Sequence, residues 1–260
     1  MSNIDQTKIN AAEDLNRAYI APEVIRQRQC TIESLDVKAG DVVLDIGCGT
    51  GFLSYEIALI VGQEGRVSAI DVSEEMVTHT QSRCASLNQV EVKTGSVLSI
   101  DEPDNTFDIV TCIQVLLYVD NVEQALKEMH RVLKPGGQIA VLETDWRGLV
   151  MSGNADMTER LIQAWDATVA SPNLPPKLIS LLNKHHFCAV RAQAIPLLNT
   201  SFSTNAFSVN SLSWMAKNAY RYGYISKQEG IEWVEEQAEL GKKGEYFFCL
   251  NRFLFIGVKR

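Results

Sequence analysis

Three glycines on alternate positions, placed directly after a buried-strand run, constrain this chain more than any other stretch. The run is Val42-Val43-Leu44-Asp45-Ile46. It breaks into Gly47-Cys48-Gly49-Thr50-Gly51 before helix-forming sequence resumes at Phe52. Short, continuous, β-branched runs suit strands covered on both faces. Alternate glycines permit a turn too tight for side chains. Set against a helix N-terminus, such a turn offers backbone N–H groups and the positive end of a dipole. Strand, turn and helix in that order make a slot for a nucleoside-bearing cofactor.

The segments around the turn extend the pattern. Apolar runs at 42–46, 67–71, 90–94, 107–113 and 138–143 alternate with helix-like stretches at 52–61, 74–86 and 122–133. Strands separated by amphipathic helices indicate a parallel sheet with helices on both faces. Residues 5–35 read as helix, broken at Ala21-Pro22, where proline can open a second helix. After Trp146 the alternation fails. Helices are predicted at 155–170 and 177–186, and strands at 188–197 and 246–259. A polar, aromatic insertion at 199–244 lies between those two strands, with helical stretches at 209–219 and 228–240. The expectation is an α/β, Rossmann-like, seven-stranded and mostly parallel sheet. It carries an N-terminal helical arm and a helical insertion before the last strand.

Composition excludes several partners. The 24 basic residues face 32 acidic ones, for a net charge of −8. No Lys/Arg cluster interrupts that excess, which disfavours a phosphate backbone as ligand. Residues 1–5 show neither a charged n-region nor an apolar h-region, so a cytoplasmic protein is expected, without a membrane span. The six cysteines are scattered, with no C-x-x-C and no histidine pair at ligand spacing, and read as free thiols in a reducing compartment. No metal site is expected. His79, His130, His185 and His186 show no partner pattern.

The glycine turn has companions at informative distances. Asp71 closes the second strand 20 residues after Gly51. A carboxylate there can accept both hydroxyls of a ribose. The third strand ends in Gly95-Ser96-Val97, the fourth runs into Ile113-Gln114, and Leu133-Lys134-Pro135-Gly136-Gly137 precedes the fifth. This ordered set, over residues 40–145, resembles the class I S-adenosylmethionine-dependent methyltransferases. Within them it is most similar to small-molecule enzymes of the ubiquinone/menaquinone-biosynthesis type.

The resemblance implies S-adenosyl-L-methionine as cofactor, a single methyltransferase domain and a role for each matching position. Residues 1–37 become the arm, 38–145 the cofactor core, and 146–260 the substrate-side half with its cap at about 199–244. Asp45, Gly47, Gly49 and Gly51 are expected to line the methionine and ribose, and Asp71 to bind the ribose hydroxyls. Val72 and Met76 flank the adenine, which Gly95, Ser96 and Val97 approach. Ser96 departs from the acid or amide common at that position. Ile113 and Gln114 meet the sulfonium, and Tyr118 follows as a candidate catalytic residue or as wall packing.

The acceptor side is read from fewer signals. Glu143 and Asp145 close the fifth strand, where either binds a cationic substrate, takes its proton, or serves as a helix cap or ribose-side acid. Tyr19, Trp146, Trp214 and Tyr220 are candidate substrate contacts, because aromatic faces suit an apolar ring or a cation. The alternative is that these rings build the cap's own core. The expected function is methyl transfer to a small organic molecule by in-line displacement. The alternatives are a nucleic-acid methyltransferase, disfavoured because Cys112–Val115 lacks an Asn/Asp-Pro-Pro-Tyr sequence, and a non-catalytic cofactor-binding protein.

Overall fold

The computed structural model describes residues 11–260, so the part of the predicted arm at 5–10 lies outside the described residues. Proline opens the second helix as expected: α1 spans Ala11–Tyr19 and α2 spans Pro22–Leu35. The strands are β1 (Val42–Ile46), β2 (Arg66–Asp71), β3 (Val90–Thr94), β4 (Phe107–Ile113), β5 (Leu133–Thr144), β6 (Val150–Met151), β7 (Phe187–Asn199) and β8 (Phe248–Lys259). Their order is β3-β2-β1-β4-β5-β8-β6, with β7 paired to β8. β1 lies parallel to β2 and β4, β2 to β3, and β4 to β5. This is the expected Rossmann-like α/β class.

Two details correct the expectation. The sheet has eight strands rather than seven, because Val150–Met151 pairs antiparallel with Phe248 and Cys249. Two residues carry no periodicity, so only the partner strand defines β6. The turn expected at Leu133–Gly137 is a bulge inside β5. Phe107 pairs with Leu133 and Ile109 with Gln138, so one residue of β4 faces four of β5. Lys134 Nζ spans that irregularity with 2.8 Å bonds to both oxygens of Asp108.

The helices are α3 (Phe52–Val61), α4 (Glu74–Arg83), α5 (Val122–Val132), α6 (Ala155–Asp166), α7 (Pro175–Lys184), α8 (Phe207–Arg221) and α9 (Lys227–Lys243). In α5 the buried side chains Val122, Ala125, Leu126, Met129 and Val132 recur at helical spacing. Its first turn is capped by the Asn121 side chain, which accepts from Gln124 N at 3.0 Å.

The chain divides into two compact units. The first comprises Arg28–Glu143, Leu174–Gln193 and Phe253–Arg260. Its core joins Leu44, Ile46 and Val110 of the sheet to Leu126 and Met129 of α5, Leu178 and Leu182 of α7, and the rings of Phe107 and Phe187. Each such side chain contributes about 1.5–3 kcal/mol through burial. The second unit comprises the residues up to Gln27, with Thr144–Asn173 and Ala194–Arg252. There α8 and α9 form the expected helical insertion before the last strand. Glu23 and Asn199 hydrogen-bond to each other and accept from the first N–H groups of α8, at Phe207 (3.4 Å) and Ser208 (3.3 Å). α9 opens with a capping box between Ser226 and Glu229 and ends at Gly244. Among the described residues, no helix is long and apolar enough to cross a membrane.

Candidate functional site

The glycine turn lies between β1 and α3, at the carboxyl ends of β1, β2 and β4. Gly47 N and Cys48 N donate to Ile70 O at 2.7 and 3.1 Å, so the turn hangs from β2. Gly47 (φ 68°) and Gly51 (φ 83°) adopt left-handed conformations that side chains disfavour. Space forbids side chains as well. A Cβ on Gly47 would overlap Val115, and one on Gly51 would lie 2.8 Å from Thr80 Cγ2.

Asp71 joins the turn to α4. Its Oδ2 accepts from Gly49 N at 3.0 Å and its Oδ1 from Ser73 N at 2.9 Å. A carboxylate oxygen has two lone pairs, so each retains one for a ligand hydroxyl. Beside it, Val72 is 70% exposed and apolar, whereas Met76 is buried on the first turn of α4. Gly95 N donates to Asp71 O at 2.9 Å, which ties the end of β3 to the same acid. Ser96 Oγ accepts from Leu98 N at 3.2 Å, and Val97 is buried. Leu98, which no motif marks, presents a second exposed apolar side chain there.

Asp45 differs from expectation. Its carboxyl is buried behind the turn, where it accepts from Ser54 Oγ at 2.5 Å and Thr111 Oγ1 at 2.8 Å. Burial pushes its pKa up to about 6, against the lowering effect of those two hydroxyls. It buttresses the junction of β1, α3 and β4 and does not face the turn's open side. Cys48 and Cys112 are also buried, and desolvation raises both thiols, which keeps them protonated and inert. All six cysteines are free.

At the end of β4, Ile113 pairs with Leu142, and Gln114 takes a left-handed conformation (φ 58°) that is uncommon for a residue with a side chain. Gln114 N is held by Leu142 O at 2.8 Å. The following N–H groups, of Val115 and Leu116, donate to Glu143 Oε1 at 3.1 and 2.7 Å. Glu143 is fully buried, so this carboxylate is engaged with backbone at the very position proposed from sequence as a base. Tyr118 ends the short 3₁₀ turn Leu116–Tyr118 and is 40% exposed.

The remaining sequence candidates belong to the second unit. Asp145 caps the 3₁₀ turn Trp146–Gly148 by accepting from Arg147 N at 3.1 Å, which is the helix-cap alternative. Arg147 Nε in turn binds Asp166 at 2.9 Å. Trp146 and Trp214 meet around a third ring missed from sequence, Trp165. Centroid separations are 5.3 Å for Trp146–Trp165 and 4.7 Å for Trp165–Trp214. Trp146 and Trp165 are buried and Trp214 half-buried, so this trio is in large part packed core. Tyr220 is half exposed on α8, outside the trio, and Tyr19 is half-buried on α1.

Residues 43–137 match the family described as "Methyltransferase domain". The chain is 38% identical over 140 residues to the demethylmenaquinone methyltransferase of Listeria welshimeri, covering 53% of this chain and 59% of that enzyme. It therefore spans little more than half the length of this relative. Among solved structures it is similar to the YcgJ protein of Bacillus subtilis, with TM-score 0.63, 20% identity and coverage of 91% of this chain and 99% of that one. It is also similar to Haemonchus contortus phosphoethanolamine N-methyltransferase 2 in complex with S-adenosyl-L-methionine, with TM-score 0.64, 14% identity and coverage of 99% and 58%. At those identities the structural likeness is one of fold.

Proposed function

We propose that this chain, whose residues 43–137 match the family described as a methyltransferase domain, is a class I S-adenosylmethionine-dependent methyltransferase and transfers a methyl group from that cofactor to a small organic molecule. The observation that carries the reading is Asp71. It holds the glycine turn through Gly49 N and keeps a lone pair on each oxygen for vicinal hydroxyls. The residues fit the group, since glycines at 47, 49 and 51 put no side chains on the turn's backbone beside the Asp71 carboxylate.

When bound, S-adenosylmethionine supplies a methyl carbon activated by a positive sulfur. The chain's task is alignment, and positioning of reactants contributes several kcal/mol to such a displacement. Asp71, Gly47, Gly49 and Gly51 would hold the ribose and amino-acid ends. Val72, Leu98 and the Gly95–Val97 segment would flank the adenine. Ile113 and Gln114, at the end of β4, would line the methyl side. Glu143 acts as a positioning residue that fixes the backbone at Val115 and Leu116, and Asp145 as a cap. Neither acts as the base. Tyr118, 40% exposed, is the remaining catalytic candidate to contact the acceptor.

The acceptor is proposed to be a small ring compound, by analogy with the Listeria relative named for demethylmenaquinone. Trp146 is packed in the ring trio, so the rings proposed to contribute apolar contacts are Trp214, Tyr19 and Tyr220, which keep exposed surface. No nucleic acid is proposed as acceptor, in keeping with the net charge of −8. The six free thiols suit the cytosol, where we place the protein. Calorimetric titration with S-adenosylhomocysteine, followed by labelled methyl transfer onto a panel of quinols, phenols and amines, tests the reading. Micromolar binding and label on a ring compound support it, and absence of S-adenosylhomocysteine binding overturns it.

A further inference from the structure

The far end of α4 grips the glycine turn from behind. Thr80 Oγ1 donates to Gly49 O at 2.8 Å and reaches Cys48 Sγ at 3.5 Å. One turn later Arg83 Nε donates to Thr50 O at 2.6 Å. Consecutive carbonyls of the turn are therefore taken by consecutive turns of one helix. The Arg83 guanidinium also stacks 3.4 Å from the centroid of Phe52, the first residue of α3. Arg28 lies 4.9 Å from the same ring and is paired to Glu56 of α3 at 2.9 Å. At its other end α4 starts beside Asp71, which binds both Ser73 N and Gly49 N.

We propose that Thr80 and Arg83 are positioning residues for cofactor binding, acting through the Gly49 and Thr50 carbonyls; the proposal rests on the reading that this turn seats the cofactor. A trans peptide is planar, with C=O and N–H pointing in opposite directions. Holding Gly49 O toward α4 therefore aims the Thr50 N–H away from α4. With Asp71 fixed to the same helix at its start, α4 sets the spacing between the ribose acid and the amides of the turn. Thr80 is fully buried, and it also supplies the wall that excludes a Cβ from Gly51. No motif contains either residue, because their partners are backbone atoms some thirty positions away.

The test is the affinity for S-adenosylhomocysteine by calorimetry, paired with the melting temperature of each variant. Thr80→Val keeps the shape and removes the donor, and is expected to weaken binding about tenfold, the worth of one buried hydrogen bond. Thr80→Ser restores affinity to within about threefold of the parent by the same bond. Arg83→Gln, at a half-buried side chain, is expected to weaken binding and to speed amide exchange at Gly51, whose N–H shares the peptide plane of the Thr50 carbonyl. A purely structural role would lower the melting temperature, leave the affinity of the folded protein unchanged and give no rescue by serine. Arg83→Gln is read alone if Thr80→Val does not fold, and unchanged affinity in the folded variant overturns the proposal. Asp71→Asn separates the two readings. If it weakens binding while Thr80→Val and Arg83→Gln do not, only the positioning roles fail. If it too leaves binding intact, the seat is elsewhere and both readings fail.

Discussion

Glu143 Oε1 sits 2.7 Å from the backbone nitrogen of Leu116, so the end of β5 holds the first turn of chain after β4. The same oxygen takes Val115 N at 3.1 Å. A carboxylate accepting two N–H groups in a dry site is an anchor for the loop that carries Gln114 and Tyr118. Glu143→Gln keeps an acceptor oxygen, and methyl transfer is expected to stay within about tenfold of the parent. Glu143→Ala orphans two buried N–H groups and is expected to cost on the order of 3 kcal/mol in urea unfolding. A rate loss of about 10²-fold or more in a well-folded Glu143→Gln protein would instead identify a general base.

Asp71 accounts for a different quantity. Its charge supports Gly49 N and Ser73 N and leaves one lone pair per oxygen. Asp71→Asn removes the charge and turns one acceptor into a donor. Charge-assisted hydrogen bonds contribute about 1.5–3 kcal/mol, so S-adenosylhomocysteine affinity is expected to fall roughly 10- to 100-fold. Titration calorimetry measures this directly, and a change under twofold would remove Asp71 from the site.

Gly47 faces two separate penalties, and they can be separated by experiment. Its φ of 68° disfavours a side chain, at about 1–2 kcal/mol, and a Cβ there overlaps Val115. Gly47→Ala is therefore expected to destabilise by more than the backbone strain alone. Adding Val115→Ala should recover the overlap share and leave the strain share, giving a favourable coupling in a double-mutant cycle. Strictly additive effects would show that Val115 does not wall the turn.

Asp45 and His130 predict opposite pH responses. The Asp45 carboxyl is raised from 3.8 to about 6 in the folded state, chiefly by burial. The folded protein therefore binds a proton that the unfolded chain has released, and stability from this group rises as pH falls from about 6 toward 4. Two pKa units correspond to about 3 kcal/mol as an upper figure. Asp45→Asn should lose that rise, so the parent gains stability relative to the variant as pH is lowered from 8 to 4.5. His130 is lowered by burial, with Lys259, His186 and His185 adding to the effect. Its contribution is present above pH 6.5 and is lost as pH falls toward its folded value. His130→Asn should flatten that acid loss. Urea unfolding of both variants across the range separates the two, and parallel curves for parent and Asp45→Asn would refute the first assignment.

β1, β2 and β4 were legible because each is a short, largely buried run rich in β-branched residues, and helices of regular period separate most of the strands. The strands at 42–46, 67–71, 90–94 and 107–113 appear within one residue of their observed bounds, the one expected at 138–143 starts five residues earlier at Leu133, and the alternate glycines place the turn. Motif spacing also indicated that Asp71 and the turn belong together, and they meet at Gly49 N. Leu133–Gly137 is placed before the fifth strand by its glycines and proline, which punctuate turns and bulges alike, and only pairing with β4 shows it to be a bulge within that strand. β6 had no local signal at all.

Side-chain direction and partnership lay outside the sequence. Asp45 stands in the glycine motif yet turns its carboxyl inward to Ser54 and Thr111, and Glu143 stands at a strand end yet spends its charge on two backbone amides. Trp165, Thr80 and Arg83 belong to no motif, and their contacts join residues far apart in the chain. The sequence by itself determined the order of elements, the tight turn and the acid closing β2, because periodicity and glycine act over a few residues. Tertiary structure alone decided which carboxylates stay partly open beside the glycine turn and which are buried in the frame, because burial and hydrogen-bond partners depend on residues that only folding brings together.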